Sequence, residues 1–93
     1  MEPTVLVVDD EVRTLRLMEA VLVSAGYRVI LAGDGIQAIT KATTTSPDVI
    51  LLDVMMPGMD GFEVASKLRA NKQTKDIPIV MVTALGEVKD RVK

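Results

Sequence analysis

The chain has 93 residues and a net charge of −2, enough for one domain and too short for two. It lacks cysteine and histidine, which excludes disulfides and thiolate metal sites and disfavours zinc; without a basic run, direct nucleic-acid binding is not expected. No apolar stretch approaches the roughly 20 residues that cross a bilayer, and Met1-Glu-Pro-Thr4 lacks the basic region and cleavage site of a secretory signal, so no membrane partner and a cytoplasmic location are expected.

Short apolar runs alternate with helical patterns, as in a parallel sheet covered on both faces. The first strand is read over 4–8, ending at Asp9-Asp10. A helix over about 11–25 follows, with Val12, Leu15, Met18, Leu22 and Ala25 at helical spacing and Gly26 placed to end it. Strand two is read over 28–32. Asp34 and Gln37 form a capping pattern for a second helix to about 44, burying Ile36, Ile39 and Ala42. Thr43-Thr-Thr-Ser-Pro47 breaks it, and a third strand runs over 49–52 up to Asp53. Met55-Met-Pro-Gly-Met59 reads as a loop. Asp60 and Glu63 cap a third helix with Phe62, Ala65 and Leu68 inward, a polar surface loop spans 71–76, and a fourth strand spans 79–82. A further helix begins near Glu87.

Right-handed crossovers place strand one beside strands two and three. Ligands of such sheets bind at the carboxyl ends of strands, where the chain direction across the sheet reverses. Asp9, Asp10 and Asp53 lie at those ends. Either acid of the first pair, taken alone, reads as a helix cap; with Asp53 after an apolar strand, the three read as a site. Three converging carboxylates repel one another and raise their own pKa values. Mg²⁺, which favours carboxylate, carbonyl and water ligands, removes that repulsion. It would also let Asp53 attack a phosphoryl group, giving an acyl phosphate. The hydroxyl of Thr83, after strand four, and the amides following Asp53 are candidate donors to the phosphoryl oxygens.

Val7-Val8-Asp9-Asp10-Glu11, Asp53-Val-Met-Met-Pro57-Gly-Met-Asp60-Gly61 and Val82-Thr83-Ala84, in that order, closely resemble the response-regulator receiver domain of two-component signalling. The resemblance implies an α/β, flavodoxin-like, doubly wound parallel sheet in the order 2-1-3-4. It implies a phosphorylation switch rather than a metabolic enzyme, catalysing only its own phosphotransfer and slow dephosphorylation. Asp53 would be the phosphoacceptor and Thr83 the switch hydroxyl. Asp10 would bind Mg²⁺ directly, Asp9 through water, and the Met55 carbonyl would supply a backbone ligand. The phosphodonor would be a phosphohistidine on a sensor histidine kinase or phosphotransfer protein, and an output domain in a longer parent would read the change. Met55 and Leu85 occupy positions that influence acyl-phosphate lifetime in such domains, and apolar residues there imply a long-lived phosphorylated state.

The sequence departs from the family pattern at its end. The fifth strand and helix, and the lysine that pairs with the phosphoryl group, have no counterpart, and Lys89 and Lys93 do not replace that lysine. Residues 1–93 therefore read as a receiver incomplete at its C-terminus. Its exposed fourth-strand edge is expected to favour dimerisation or segment swapping. Two alternatives stand beside this reading. A phosphohydrolase with a strand-end Asp nucleophile is disfavoured because Met55 stands where such enzymes keep a second acid. A receiver-like binding module or fragment that no longer signals by phosphorylation is the other.

Overall fold

Thr4–Val8 (β1), Arg28–Ala32 (β2), Val49–Asp53 (β3) and Ile79–Val82 (β4) form one parallel sheet in the order β2-β1-β3-β4. The structure is a computed structural model that describes residues 2–82. Three helices link the strands: Val12–Ser24 (α1), Gly35–Thr45 (α2) and Gly61–Arg69 (α3). This is the flavodoxin-like arrangement expected from the alternating pattern and right-handed crossovers. The helix expected near Glu87 and the residue Thr83 lie outside the described residues.

Val5, Leu6, Val7 and Val8 are all buried, because β1 is a central strand with helices on both faces. Their alternation divides the core in two. Leu6 and Val8 join Ile50, Leu52, Val64 and Leu68 on the α2/α3 side. Val5 and Val7 join Leu15, with Met18 and Leu22 packed against them, on the α1 side.

The helix ends follow local chemistry. At the end of α1 the Tyr27 amide donates to the Leu22 carbonyl (3.0 Å) and the Gly26 amide to the Val23 carbonyl (3.0 Å). With Gly26 at φ +99°, this is the paired-bond stop that glycine permits. The Asp34 side chain accepts from the Gln37 amide (2.8 Å), while Gln37 Oε1 reaches back to the Gly33 amide (2.9 Å).

Two inward assignments are corrected by the structure: Ile36 and Phe62 are 71% and 62% exposed, as is Val12 at 62%. In α2 the buried residues are Gly35, Ala38 and Ala42, and in α3 Gly61, Val64 and Leu68, so the expected Ala42 and Leu68 are buried, while Ile39 and Ala65 pack partly buried against the core. Small residues let these helices approach their neighbours: a Cβ on Gly35 would meet Met59 Sδ at 2.8 Å and Val64 Cγ2 at 2.9 Å. The close approach turns the bulky flanking side chains outward. In α1 the core is reached first by Leu15, and the helix begins only at Val12.

The 71–76 loop is exposed apart from half-buried Asn71 and fully buried Thr74, whose Oγ1 donates to the Leu68 carbonyl at 2.6 Å. Among the described residues no helix is long and apolar enough to cross a membrane.

Candidate metal and phosphoryl site

Strand register brings the acids together. Val8 is paired with Leu52 across β1 and β3, so Asp9 and Asp53 follow at the same level of the sheet. The Asp9 amide extends the ladder toward β2 by donating to the Ala32 carbonyl (3.1 Å). Each of Asp9, Asp10 and Asp53 offers a carboxylate oxygen, and these atoms all lie within 4.8 Å of one another. Asp9 and Asp53 are half-buried and Asp10 is exposed.

Neither acid of the pair caps α1. The N-cap position is Glu11, which makes no side-chain capping bond, and Asp9 Oδ1 instead accepts from the Glu11 amide at 2.8 Å. Burial raises the Asp9 carboxyl above its ordinary value; the Glu11 amide works against that rise, and the negative charges of Asp10 and Glu11 add to it. A carboxylate that is both desolvated and crowded by like charge calls for a cation. The donor set is three hard oxygen groups on rigid strand ends, which fits Mg²⁺.

Asp53 is held from several directions. Its Oδ1 accepts from the Met55 amide at 3.2 Å. The Val54 amide donates to the Val82 carbonyl (3.1 Å) and the Gly61 amide to the Val54 carbonyl (3.0 Å), pinning the loop at both ends. Gly58 turns that loop at φ +77°. The start of α3 is fixed by a reciprocal capping box, Asp60 Oδ1 with the Glu63 amide (2.9 Å) and Glu63 Oε1 with the Asp60 amide (3.2 Å).

Gly61 closes the Asp53–Gly61 motif, but its supporting role was not read from the sequence. A Cβ there would lie 2.3 Å from the Asp53 carbonyl oxygen, so α3 docks directly on the backbone at the end of β3. Its sequence signal was the glycine following the capping aspartate, which reads as part of a turn until the fold brings β3 against it.

The family model of the response regulator receiver domain matches residues 5–93. The response regulator PleD of Caulobacter vibrioides is 48% identical over 93 residues, covering 100% of this chain and 20% of PleD. The regulator PhoP of Bacillus subtilis, named for alkaline phosphatase synthesis, is 47% identical over 92 residues, 99% of this chain and 38% of that protein. The chain thus spans well under half the length of these relatives. Among solved structures, the receiver domain of a sensor histidine kinase from Pseudomonas aeruginosa, described with magnesium in its active-site cleft, superposes with a TM-score of 0.87. It is 35% identical, and the match covers 100% of this chain and 76% of that one. The chemotaxis regulator CheY4 of Vibrio cholerae gives 0.85 at 38% identity, covering 98% and 77%. The chain belongs to the response regulator receiver domain family of two-component systems.

Proposed function

We propose that residues 1–93 act as a receiver in which Asp53 accepts a phosphoryl group from a phosphohistidine on a sensor kinase or phosphotransfer protein in the cytoplasm. The observation that carries this reading is the gathering of Asp9, Asp10 and Asp53 oxygens within 4.8 Å at the carboxyl edge of a parallel sheet. Asp9, Asp10, Asp53 and the Met55 carbonyl would hold Mg²⁺, which when bound neutralises the crowded acids and orients the phosphoryl oxygens. The magnesium described in the P. aeruginosa receiver domain supports this assignment.

The chemistry of the chain's own residues follows. A carboxylate oxygen of Asp53 attacks phosphorus in line; the P–N bond to the donor imidazole breaks, its electrons return to nitrogen, and a proton restores the neutral ring. The Met55 amide restricts rotation of the Asp53 carboxylate by its bond to Oδ1. Thr83 is assigned as the hydroxyl that donates to the new phosphoryl group, and its movement would alter the surface near β4. An output domain in a longer parent, such as the length of PleD and PhoP allows, would read that change.

The test is the intact mass of the chain after incubation with Mg²⁺ and a small-molecule phosphodonor. One added phosphoryl group is expected, absent with chelator and absent in Asp53→Asn. Equal labelling of Asp53→Asn would reject the site assignment.

A further inference from the structure

Met55 differs from the other described methionines in its access to solvent. It is 50% exposed, while Met56 is 8% exposed and Met18, Met59 and Met81 are half-buried. Its amide touches Asp53 Oδ1, and Met55 lines an open cleft with Val54, Met56, Pro57, Asp60 and Phe62, in which Met56 is the buried methionine and Met55 the exposed one. The most exposed of these methionines therefore sits two residues from the proposed phosphoacceptor.

We propose that Met55 is a site of oxidation by peroxide, and that its sulfoxide shortens the lifetime of phosphorylated Asp53. The second half rests on the phosphoryl-transfer reading above. In the oxidation step, the Met55 sulfur lone pair attacks one peroxide oxygen. The O–O bond breaks, an S–O bond forms, and the proton of the transferred oxygen passes to the other oxygen, which leaves as water. Sulfur loses two electrons and the peroxide gains them.

The consequence follows from hydrogen-bonding capacity. An acyl phosphate is lost when water attacks phosphorus, and a group that accepts a hydrogen bond from that water orients it. A thioether is a weak acceptor and gives the water little hold. A sulfoxide oxygen on the same flexible side chain is polar and accepts strongly. Oxidation thus supplies, on the residue whose amide holds Asp53 Oδ1, the acceptor that the apolar side chain withholds.

The experiment treats the full chain with hydrogen peroxide under native conditions, maps each methionine by peptide mass spectrometry, and then follows loss of the phosphoryl group. Met55 is expected to convert an order of magnitude faster than Met56, and the oxidised chain to lose phosphate several-fold faster than the untreated one. In Met55→Leu, peroxide should leave the hydrolysis rate where that variant began. Equal oxidation of Met55 and Met56 would overturn the site. Unchanged hydrolysis after full conversion of Met55, or the same acceleration in Met55→Leu, would overturn the effect on lifetime. An untreated chain that takes up no phosphoryl group would reject the switch reading and the lifetime effect with it, while the peptide map would still decide the oxidation.

Discussion

A methyl group at position 61 would meet the Asp53 carbonyl oxygen at 2.3 Å and Val54 Cα at 2.8 Å, both parts of a pinned backbone. Gly61→Ala must therefore push α3 off the strand end, and the expected loss is about 1–3 kcal/mol, read as a lower urea midpoint. Gly35→Ala meets the flexible Met59 sulfur first and should lose less. Asp9 gives a prediction with a defined sign. Its folded-state pKa is raised above 3.8, chiefly by burial. The folded chain then holds that proton more tightly than the unfolded one, so the stabilising contribution is present below the ordinary pKa and is lost as pH rises through the raised value. Without Mg²⁺, Asp9→Asn should melt above the wild type, with a gap that widens as pH rises through this window. Relief of one close like-charge contact is worth no more than about 1 kcal/mol in water, or about 4–8 °C in Tm for a domain this size. Saturating Mg²⁺ should narrow or reverse the gap; a gap that ignores both pH and Mg²⁺ would refute the assignment of Asp9.

Helix α3 joins the site at one end to a buried polar bond at the other. Past its C-terminus, Thr74 Oγ1 satisfies the Leu68 carbonyl at 2.6 Å, and Arg69 Nη1 donates to the carbonyls of Lys75 (3.0 Å) and Ile77 (3.2 Å). Thr74→Val keeps the shape and removes the donor, leaving the Leu68 carbonyl with the longer bond from the Asn71 amide (3.3 Å). The expected cost is about 0.5–1.5 kcal/mol, seen as a shifted denaturation midpoint. Phe62→Ser on the same helix removes a far larger apolar group yet should change stability by about 0.5 kcal/mol or less, because that ring is 62% exposed. A large loss at position 62 would mean that α3 faces the core differently. In α2, Ser46 takes the left-handed conformation at φ 48° while its amide caps the Ala42 carbonyl. Ser46→Gly should add about 0.5–1 kcal/mol by removing the strain a side chain meets there.

The sheet as a unit ties stability to the site. Its central strands β1 and β3 carry Asp9 and Asp53 at their ends, while β2 and β4 form its two edges among the described residues. Cation binding at the acid cluster acts only on the folded chain, because the three acids converge only through strand pairing. Mg²⁺ at a hundred times its dissociation constant should therefore stabilise the wild type by about 2.7 kcal/mol. The same addition should do much less for Asp10→Asn. A melting temperature unmoved by Mg²⁺ would reject the site. On the β4 edge, Val80 and Val82 remain 48% and 38% exposed while Ile79 and Met81 are half-buried. Amide exchange should accordingly be slowest in β1 and fastest in the edge strands.

The order of elements, the strand limits at Thr4–Val8 and Arg28–Ala32, the acid cluster and the capping box at Asp60 and Glu63 were all legible in the amino-acid order. Each depends on local periodicity, short-range side-chain chemistry or a chirality rule that holds for every parallel crossover. Which residue leads each helix's inward stripe was not legible, although Ala42 and Leu68 are buried as expected. Hydropathy ranks Ile36 and Phe62 above Gly35 and Gly61, but helices packed at close range bury the smallest side chains. The buried Thr74 in a polar loop escaped for a similar reason, since the carbonyl it satisfies belongs to a helix end that only folding brings near. The upward shift of Asp9 was expected from the crowding of acids, but its largest cause, burial, came from the fold. The identity of the clustered acids was written in the sequence; the distances that bring them together, and the backbone contact at Gly61 beside Asp53, belong to the tertiary structure, because both arise between chain segments dozens of residues apart or on opposite sides of a loop.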